Sequence, residues 1–282
     1  MLSFKNKLIS KVGVPVFKCP VLPFIHIFKL ANMAKKRISL SENGIGTKDD
    51  PVYLTAHRGA WADAPMNSLP AFKKSVELGY YTAECDIRLT KDNKWVVLHN
   101  DTVDSLFCQK GKIEDITYDE VRTFTYKDGP DFWKYKDLKI CSFEEYLDVF
   151  VGTNTRPQIE IKSETYDLLY TVVDAVKAKG LEKSAIVISF DLEQLRAINK
   201  IDSSIELWYL IDEITPERIA EAQAIGPNVW LSPNYDRNDE QSIKLALDAG
   251  IGVSLWTVNT LEKARKLYDL GVRYIESDIL CK

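Results

Sequence analysis

Histidine is scarce in this sequence, three residues in 282, and the five cysteines are odd in number, scattered and without a C-x-x-C pair. Neither a disulfide framework nor a zinc knuckle fits that pattern; a reducing, cytoplasmic setting does. Long apolar runs are missing too. Between Leu2 and Leu30 the apolar residues come in patches broken by Pro15, Lys18, Pro20, Pro23 and Lys29. No stretch reaches the roughly 18–20 residues that a spanning helix needs. No small-residue cleavage site follows an apolar core, so a secretory signal is not expected. An apolar content of 45% and a charged content of 28% exclude a disordered, collagen-like or polytopic membrane chain.

Positive charge is concentrated at one end. Residues 1–48 hold nine Lys and Arg against Glu42 alone, a net +8, and the rest holds 28 basic and 40 acidic residues, a net −12. So acidic a body is a poor polyanion binder, and nucleic acid is not an expected partner. Residues 1–48 read as an N-terminal extension and 49–282 as the body, with the polar stretch 41–50 leading from one into the other. Two readings of the extension stay open. It packs on the outside of the domain, or residues 1–40 make a peripheral contact with an anionic membrane surface.

From residue 51 onward, short β-branched runs alternate with helical patterns, the signature of parallel βα units. Strands are predicted over 52–56, 82–86, 95–98, 158–161, 185–190, 206–211, 229–232, 253–257 and 274–277. Helices are predicted over 69–78, 166–179, 192–198, 216–224, 239–249 and 261–270, and Gly79, Gly180, Gly226, Gly250 and Gly271 stand where helices stop. Nine strands are one too many for an eight-stranded barrel. Residues 87–94 are too few for a parallel crossover between the second and third, so 87–98 reads as a hairpin excursion. Eight parallel strands remain, an α/β chain folded as a (β/α)8 TIM barrel. Residues 101–142 lack the alternation and read as a small insertion over the barrel mouth after the second strand.

Barrels of this kind carry their chemistry at the C-terminal ends of strands. Here those ends are His57-Arg58-Gly59, Glu84-Cys85-Asp86, His99-Asn100 and Glu160-Ile161-Lys162. Glu84 and Asp86, two apart on a strand, share a face, and Glu160 and Lys162 repeat that geometry. Three convergent carboxylates repel one another unless a cation lies among them. Oxygen ligands with room for water favour Ca²⁺ or Mg²⁺ over zinc. Arg58 and Lys162 beside such an ion, with His57 and His99 to move protons, suit a phosphate ester. His26, without polar companions, reads as structural.

Together with Pro65-Met66-Asn67-Ser68-Leu69-Pro70-Ala71-Phe72, Thr90-Lys91-Asp92, Ser189-Phe190 and Trp256-Thr257-Val258-Asn259, these segments resemble the glycerophosphodiester phosphodiesterases. The order and spacing hold from about residue 53 to the C-terminus. The resemblance implies a barrel, a divalent metal, and hydrolysis of a small-molecule glycerophosphodiester to glycerol 3-phosphate and an alcohol. By that likeness Glu84, Asp86 and Glu160 are metal ligands, and His57 and His99 are the acid–base pair. Arg58 and Lys162 contact the phosphate or glycerol, and Trp256 lines the pocket. No Ser or Cys stands beside a histidine at a strand end, so the glycerol hydroxyl next to the phosphate is the expected attacker.

Two positions depart from the family pattern: Met66 where Glu is usual, and Asn100 where Asp is usual. With the ligand set intact, activity is expected to survive. The rival readings are a phospholipase D-like enzyme acting on lysophospholipid or sphingomyelin, and a barrel that binds a phosphodiester without turning it over. The basic extension favours the first; the presence of both histidines and all three carboxylates argues against the second.

Overall fold

Short strands rich in β-branched and aromatic residues alternate with helices, most of them capped by a side chain, along the described residues. The computed structural model describes residues 35–282. In order these are β1 (Ile38–Ser39), β2 (Tyr53–Ala56), α1 (Leu69–Glu77), β3 (Thr82–Leu89), β4 (Trp95–Val97), α2 (Tyr118–Val121), α3 (Phe143–Asp148), β5 (Arg156–Ile161), α4 (Leu169–Ala178), β6 (Ile186–Ser189), α5 (Leu192–Ile201), β7 (Glu206–Ile211), α6 (Pro216–Gln223), β8 (Val229–Pro233), α7 (Glu240–Asp248), β9 (Ser254–Leu255), α8 (Leu261–Asp269), β10 (Tyr274–Ser277) and β11 (Leu280–Cys281). Side-chain oxygens of Ser68, Asp191, Thr215, Asp239 and Thr260 accept first-turn N–H groups of α1, α5, α6, α7 and α8, satisfying donors that would otherwise be orphaned. Gly79, Gly180, Gly250 and Gly271 take left-handed φ after their helices. Gly226 does not: α6 stops at Gln223 with Ala224 as its cap, so that glycine is an ordinary loop residue.

Eight strands pair in parallel in the order β8-β7-β6-β5-β3-β2-β10-β9, and parallel bridges Leu231↔Val253 and Asn234↔Trp256 join β9 back to β8. The expected (β/α)8 barrel is thereby formed. β4 lies antiparallel on β3, from Ile87↔Val97 to Leu89↔Trp95, which is the hairpin read from residues 87–98. β3 runs to Leu89, beyond its expected end at 86, because its far half carries that second partner.

Alternation along the strands divides the barrel. Ala83, Cys85, Ile87, Ile159, Val187 and Leu207 belong to the main core shared with the helices. The opposite face of β6 and β7 fills the interior with Ile186, Ile188, Trp208 and Leu210, against which Trp230, Trp256 and Tyr274 pack. The matching positions of β2, β3, β5 and β10 are polar. Thr55 is hydrogen-bonded to Thr82, Thr82 to Gln158 at 3.1 Å, and Gln158 Nε2 donates to Glu276 at 3.2 Å. One half of the interior is thus grease and the other a hydrogen-bonded ladder leading to carboxylates.

Trp230 stacks on Trp208 at 5.5 Å and meets Tyr274 edge-on at 4.7 Å. A Cβ at Gly252 would lie 2.2 Å from the Trp230 ring, and the two neighbours leave the ring nowhere to go. Gly252→Ala is expected to cost roughly 1–3 kcal/mol by overpacking, seen as a lower thermal midpoint. An unchanged midpoint would show that Trp230 has room to move.

The insertion builds a small core of its own from Val103, Phe107, Ile116, Val121, Phe124 and Ile140, continuous with Val96 and Leu98, and Met66 packs against it. It therefore stands beside His99 and the loop after β2, at the barrel mouth.

The extension contributes to the barrel from Lys35 onward. The Lys35 N–H donates to the Ala62 carbonyl at 2.7 Å, and Arg37 Nε donates to Asp63 at 2.6 Å. β1 pairs in parallel with β11, and Leu40 and Ile45 are buried in the main core with Leu280. Arg265 and Arg273 tie Asn43 and Asp50 to the α8 side. No helix follows β10 among the described residues, and this strap covers the wall between α1 and α8. The segment read as a membrane contact, residues 1–40, lies outside the described residues as far as residue 34, and so does His26. No helix among the described residues is long and apolar enough to cross a membrane. Among the described residues, Cys85, Cys141 and Cys281 are free thiols.

Candidate active site

β3 turns Glu84 and Asp86 into the barrel, each 1% exposed, and the β3–β5 register sets Asp86 level with Glu160. One carboxylate oxygen from each of the three lies within 4.8 Å of the others. Burial, then the charge of Asp86, pushes Glu84 well above the ordinary carboxyl range. The same two causes push Glu160 up to about 8. Burial also acts to raise Asp86, but Lys162 and Arg58 outweigh it and hold that group at about 2. Glu84 Oε2 accepts the Arg58 N–H at 2.7 Å, while Glu84 Oε1 is buried with no partner. A buried carboxylate oxygen left alone is costly. Three hard carboxylate oxygen donors, one of them without a hydrogen-bond partner, fit a divalent cation.

Without such an ion the cluster opposes folding as pH rises. The folded pKa of Glu84 and Glu160 lies above the unfolded value, so the native state holds more protons across the window between, from about 4.5 to about 8 for Glu160. Stability of metal-free protein therefore falls through that window. Glu160→Gln is expected to flatten the fall, and saturating Mg²⁺ or Ca²⁺ to raise the thermal midpoint more at the upper end than at the lower. A midpoint difference between wild type and Glu160→Gln that does not change with pH would refute this.

The cations come from two loops. Arg58, with φ 56°, places Nε 3.6 Å from Asp86 Oδ2, and its Nη1 donates weakly to Met66 Sδ at 3.6 Å. Gly59 beside it has φ 78°, and a Cβ there would lie 2.9 Å from Ala71 Cβ. The glycine lets α1 press close enough to fix the turn. Lys162 Nζ lies 2.6 Å from Glu160 Oε1 and 3.6 Å from Asp86 Oδ1. Asn67, fully buried with φ 54°, clips Asp86 in place. Its Nδ2 donates to Asp86 Oδ2 at 2.8 Å and its Oδ1 accepts the Asp86 N–H at 3.3 Å.

The two histidines sit in opposite surroundings. His57 Nδ1 is 2.6 Å from Asp278 Oδ1, and Nε2 is 3.9 Å from Glu276 Oε1. Burial acts to lower its pKa, but the bond to Asp278 and the charge of Glu276 prevail and raise it. His99 follows β4, with Nδ1 2.8 Å from Asn100 Oδ1. There burial prevails over the attraction of Asp86, and the pKa is lowered. One imidazole is biased to carry a proton and the other to accept one, the division of labour an acid–base pair needs.

Trp256 donates from Nε1 to the Ser232 carbonyl at 2.8 Å and meets Phe190 edge-on at 5.8 Å. It belongs at once to the apolar interior and to the rim. Phe190, 47% exposed, lines with Glu160, Lys162, Tyr166 and Asp191 a cavity of about 350 Å³ opening off the carboxylates.

Of the eight residues selected from the sequence, Glu84 and Asp86 lie within β3, and the other six lie at the C-terminal ends of β2, β5 and β9 or just after β4. Sequence reasoning missed Glu276 and Asp278, and quoted Asn67 and Asn259 without giving them roles. Glu276-x-Asp278 repeats the two-residue spacing of Glu84-x-Asp86, and that signal would have found both.

A parallel barrel with buried carboxylates, two flanking cations and oppositely biased imidazoles at its mouth defines a hydrolase of phosphate esters. Residues 57–279 match the model of the glycerophosphoryl diester phosphodiesterase family; the chain belongs to that family and is a phosphoric diester hydrolase. It is 30% identical over 224 residues to the uncharacterized protein YqiK of Bacillus subtilis, spanning 77% of this chain and 91% of the relative. It is 28% identical over 236 residues to the glycerophosphodiester phosphodiesterase of Caldanaerobacter subterraneus subsp. tengcongensis, spanning 80% and 93%. In fold it matches an Oleispira antarctica phosphodiesterase, solved in complex with the product sn-glycerol-3-phosphate, with TM-score 0.73 at 21% identity over 86% of this chain and 96% of that one. The glycerophosphodiester phosphodiesterase of Thermotoga maritima gives TM-score 0.63 at 27% identity over 80% and 94%.

Proposed function

We propose that the chain hydrolyses a glycerophosphodiester to glycerol 3-phosphate and an alcohol, using His57 and His99 as its acid–base pair. In this reading Glu84, Asp86 and Glu160 hold a divalent cation, Ca²⁺ or Mg²⁺. The observation that carries it is the buried carboxylate cluster, with Glu84 Oε1 unpartnered, set between Arg58 and Lys162. When bound, the cation offsets negative charge on the phosphate oxygens.

The residues of the chain do the rest. Arg58 and Lys162 point donors at the same oxygens and orient the ester. His99, neutral near pH 7, takes the proton of the glycerol hydroxyl next to the phosphate as that oxygen bonds to phosphorus. The bond from phosphorus to the head-group oxygen breaks, and protonated His57 gives its proton to the departing alcohol. A cyclic phosphate remains, which water opens with the two histidines in exchanged roles. Intramolecular attack loses little translational entropy, and the strand-end hydroxyls of Ser189 and Ser277 are engaged elsewhere, donating to Gln194 at 2.8 Å and to Asn259 at 3.0 Å. The Oleispira enzyme was solved with sn-glycerol-3-phosphate, the product this reading requires.

Glycerophosphocholine assayed beside lysophosphatidylcholine, each with and without EDTA, tests the reading. Turnover of the first that is lost in EDTA is the expected result. Faster turnover of the lysophospholipid would transfer the chain to the phospholipase D-like type, and binding of either without turnover would make it a non-catalytic barrel.

A further inference from the structure

The loop after β2 and the N-terminal strap meet at Trp61. The Trp61 indole N–H donates to Asp278 Oδ1 at 2.7 Å, the same oxygen that faces His57 Nδ1 at 2.6 Å. Asn259 Nδ2 donates to the other oxygen, Oδ2, at 2.7 Å, and Asn259 Oδ1 accepts the Asp278 N–H at 2.9 Å. Over the indole face stands the Lys35 ammonium, 4.1 Å from the ring centroid. The Lys35 backbone is tied in turn to the carbonyl of Ala62, the residue after Trp61, at 2.7 Å.

We propose that Trp61 is a positioning residue for His57, and that Lys35 of the strap clamps it in that role. This rests on the reading of His57 as the proton donor to the departing alcohol. The Asp278 carboxylate is held by the indole on one oxygen and by Asn259 on the other, so its plane is fixed and the imidazole bonded to it is fixed too. Without the indole donor, Oδ1 is left to His57 alone. The carboxylate then gains freedom to swing about its last torsion and carries the ring with it. A misaimed Nε2 delivers its proton poorly, while the groups that hold the phosphate are untouched. Cation–π contact with Lys35 keeps the indole plane where its N–H can reach. The basic extension thereby has a physical contact, two side chains long, with the acid–base group.

The test exploits the leaving group. An alkoxide needs a proton as it departs, whereas p-nitrophenolate leaves without one. Trp61→Phe keeps an aromatic face beneath Lys35 and removes the N–H donor. Its rate of alcohol release in the first turnover of glycerophosphoethanolamine is expected to fall about tenfold or more, short of the 10²–10⁴-fold typical of losing a positioned proton donor outright. In the first turnover of glycerol 3-(p-nitrophenyl phosphate), read as p-nitrophenolate release before the cyclic phosphate is opened, the expected fall is under about threefold, with KM and Mg²⁺ affinity unchanged. Lys35→Met, which keeps the stem and removes the charge, should show the same selective loss at smaller size, and it leaves every hydrogen bond of the dyad in place. Equal losses on both substrates, or no loss on the first, would overturn the positioning role. A selective loss in Trp61→Phe with none in Lys35→Met would overturn the clamp. His57→Ala is measured on the same pair. If it shows no dependence on the leaving group, the assignment of His57 as acid fails; if it does and the other two variants do not, the present inference fails alone.

Discussion

Glu84→Gln is expected to abolish divalent-cation binding and to lower kcat/KM by about 10³-fold, the equivalent of the several kcal/mol a bound cation contributes to charge stabilisation. The amide is the same size and its oxygen can still accept the Arg58 N–H that now reaches Glu84 Oε2 at 2.7 Å, so the fold should hold. What is lost is the charge and the spare donor, Oε1. Calorimetric titration with Mg²⁺ and Ca²⁺ reads the first effect and turnover reads the second. Asp86→Asn and Glu160→Gln should follow the same course. Asp86→Asn would carry an added cost, because Asn67, Arg58 and Lys162 all address that one carboxylate. Full activity in EDTA, or cation affinity unchanged in Glu84→Gln, would refute the assignment.

His57→Ala and His99→Ala should each cost roughly 10²–10⁴-fold in kcat and leave cation affinity nearly intact, since neither ring is among the three carboxylates. Their opposite environments shape the pH profile. His99 must be neutral to accept a proton, so activity rises as pH climbs through its lowered pKa, below the ordinary 6.5. His57 must be protonated to donate, so activity falls as pH passes its raised pKa, above 6.5. The optimum lies between the two. Asp278→Asn removes the charge whose hydrogen bond raises His57, and the alkaline limb should move to lower pH. An unmoved limb would show that His57 is not the acid. Diesters without a hydroxyl next to the phosphate should turn over far more slowly. Bis(p-nitrophenyl) phosphate hydrolysed as fast as glycerophosphocholine would rule out the cyclic route.

Much of this was legible in the sequence because it depends on short-range patterns. Parallel strands buried on both faces read as β-branched runs, and residues two apart on a strand share a face whatever the rest of the chain does. Glu84, Asp86, Glu160 and Lys162 were visible for that reason. Asp278 carries the same signal, but its meaning depends on barrel closure, which sets Ser277 of β10 beside Ala56 of β2 and so brings Asp278 to His57. Asn67 was quoted only as part of a motif. Its role follows from a left-handed backbone that only the packing of α1 against the turn enforces. Gly226 looked like four other helix-stop glycines, and only the cap at Ala224 distinguishes it. Residues 35–48 read as polar linker and tail because Leu40 and Ile45 are isolated apolar residues, and what buries them lies at the far end of the chain.

That last pairing bears on how the protein is made. Ile38 and Ser39 find their partners at Leu280 and Cys281, separated by almost the whole described chain. Contacts so distant in sequence carry the largest loop-closure cost and form slowly. On a ribosome the strap emerges early and must wait, with Leu40 and Ile45 uncovered, until β10 and β11 have been synthesised. The strap therefore cannot be docked before β11 has been made, and until then the two ends of the described chain share one unfinished edge.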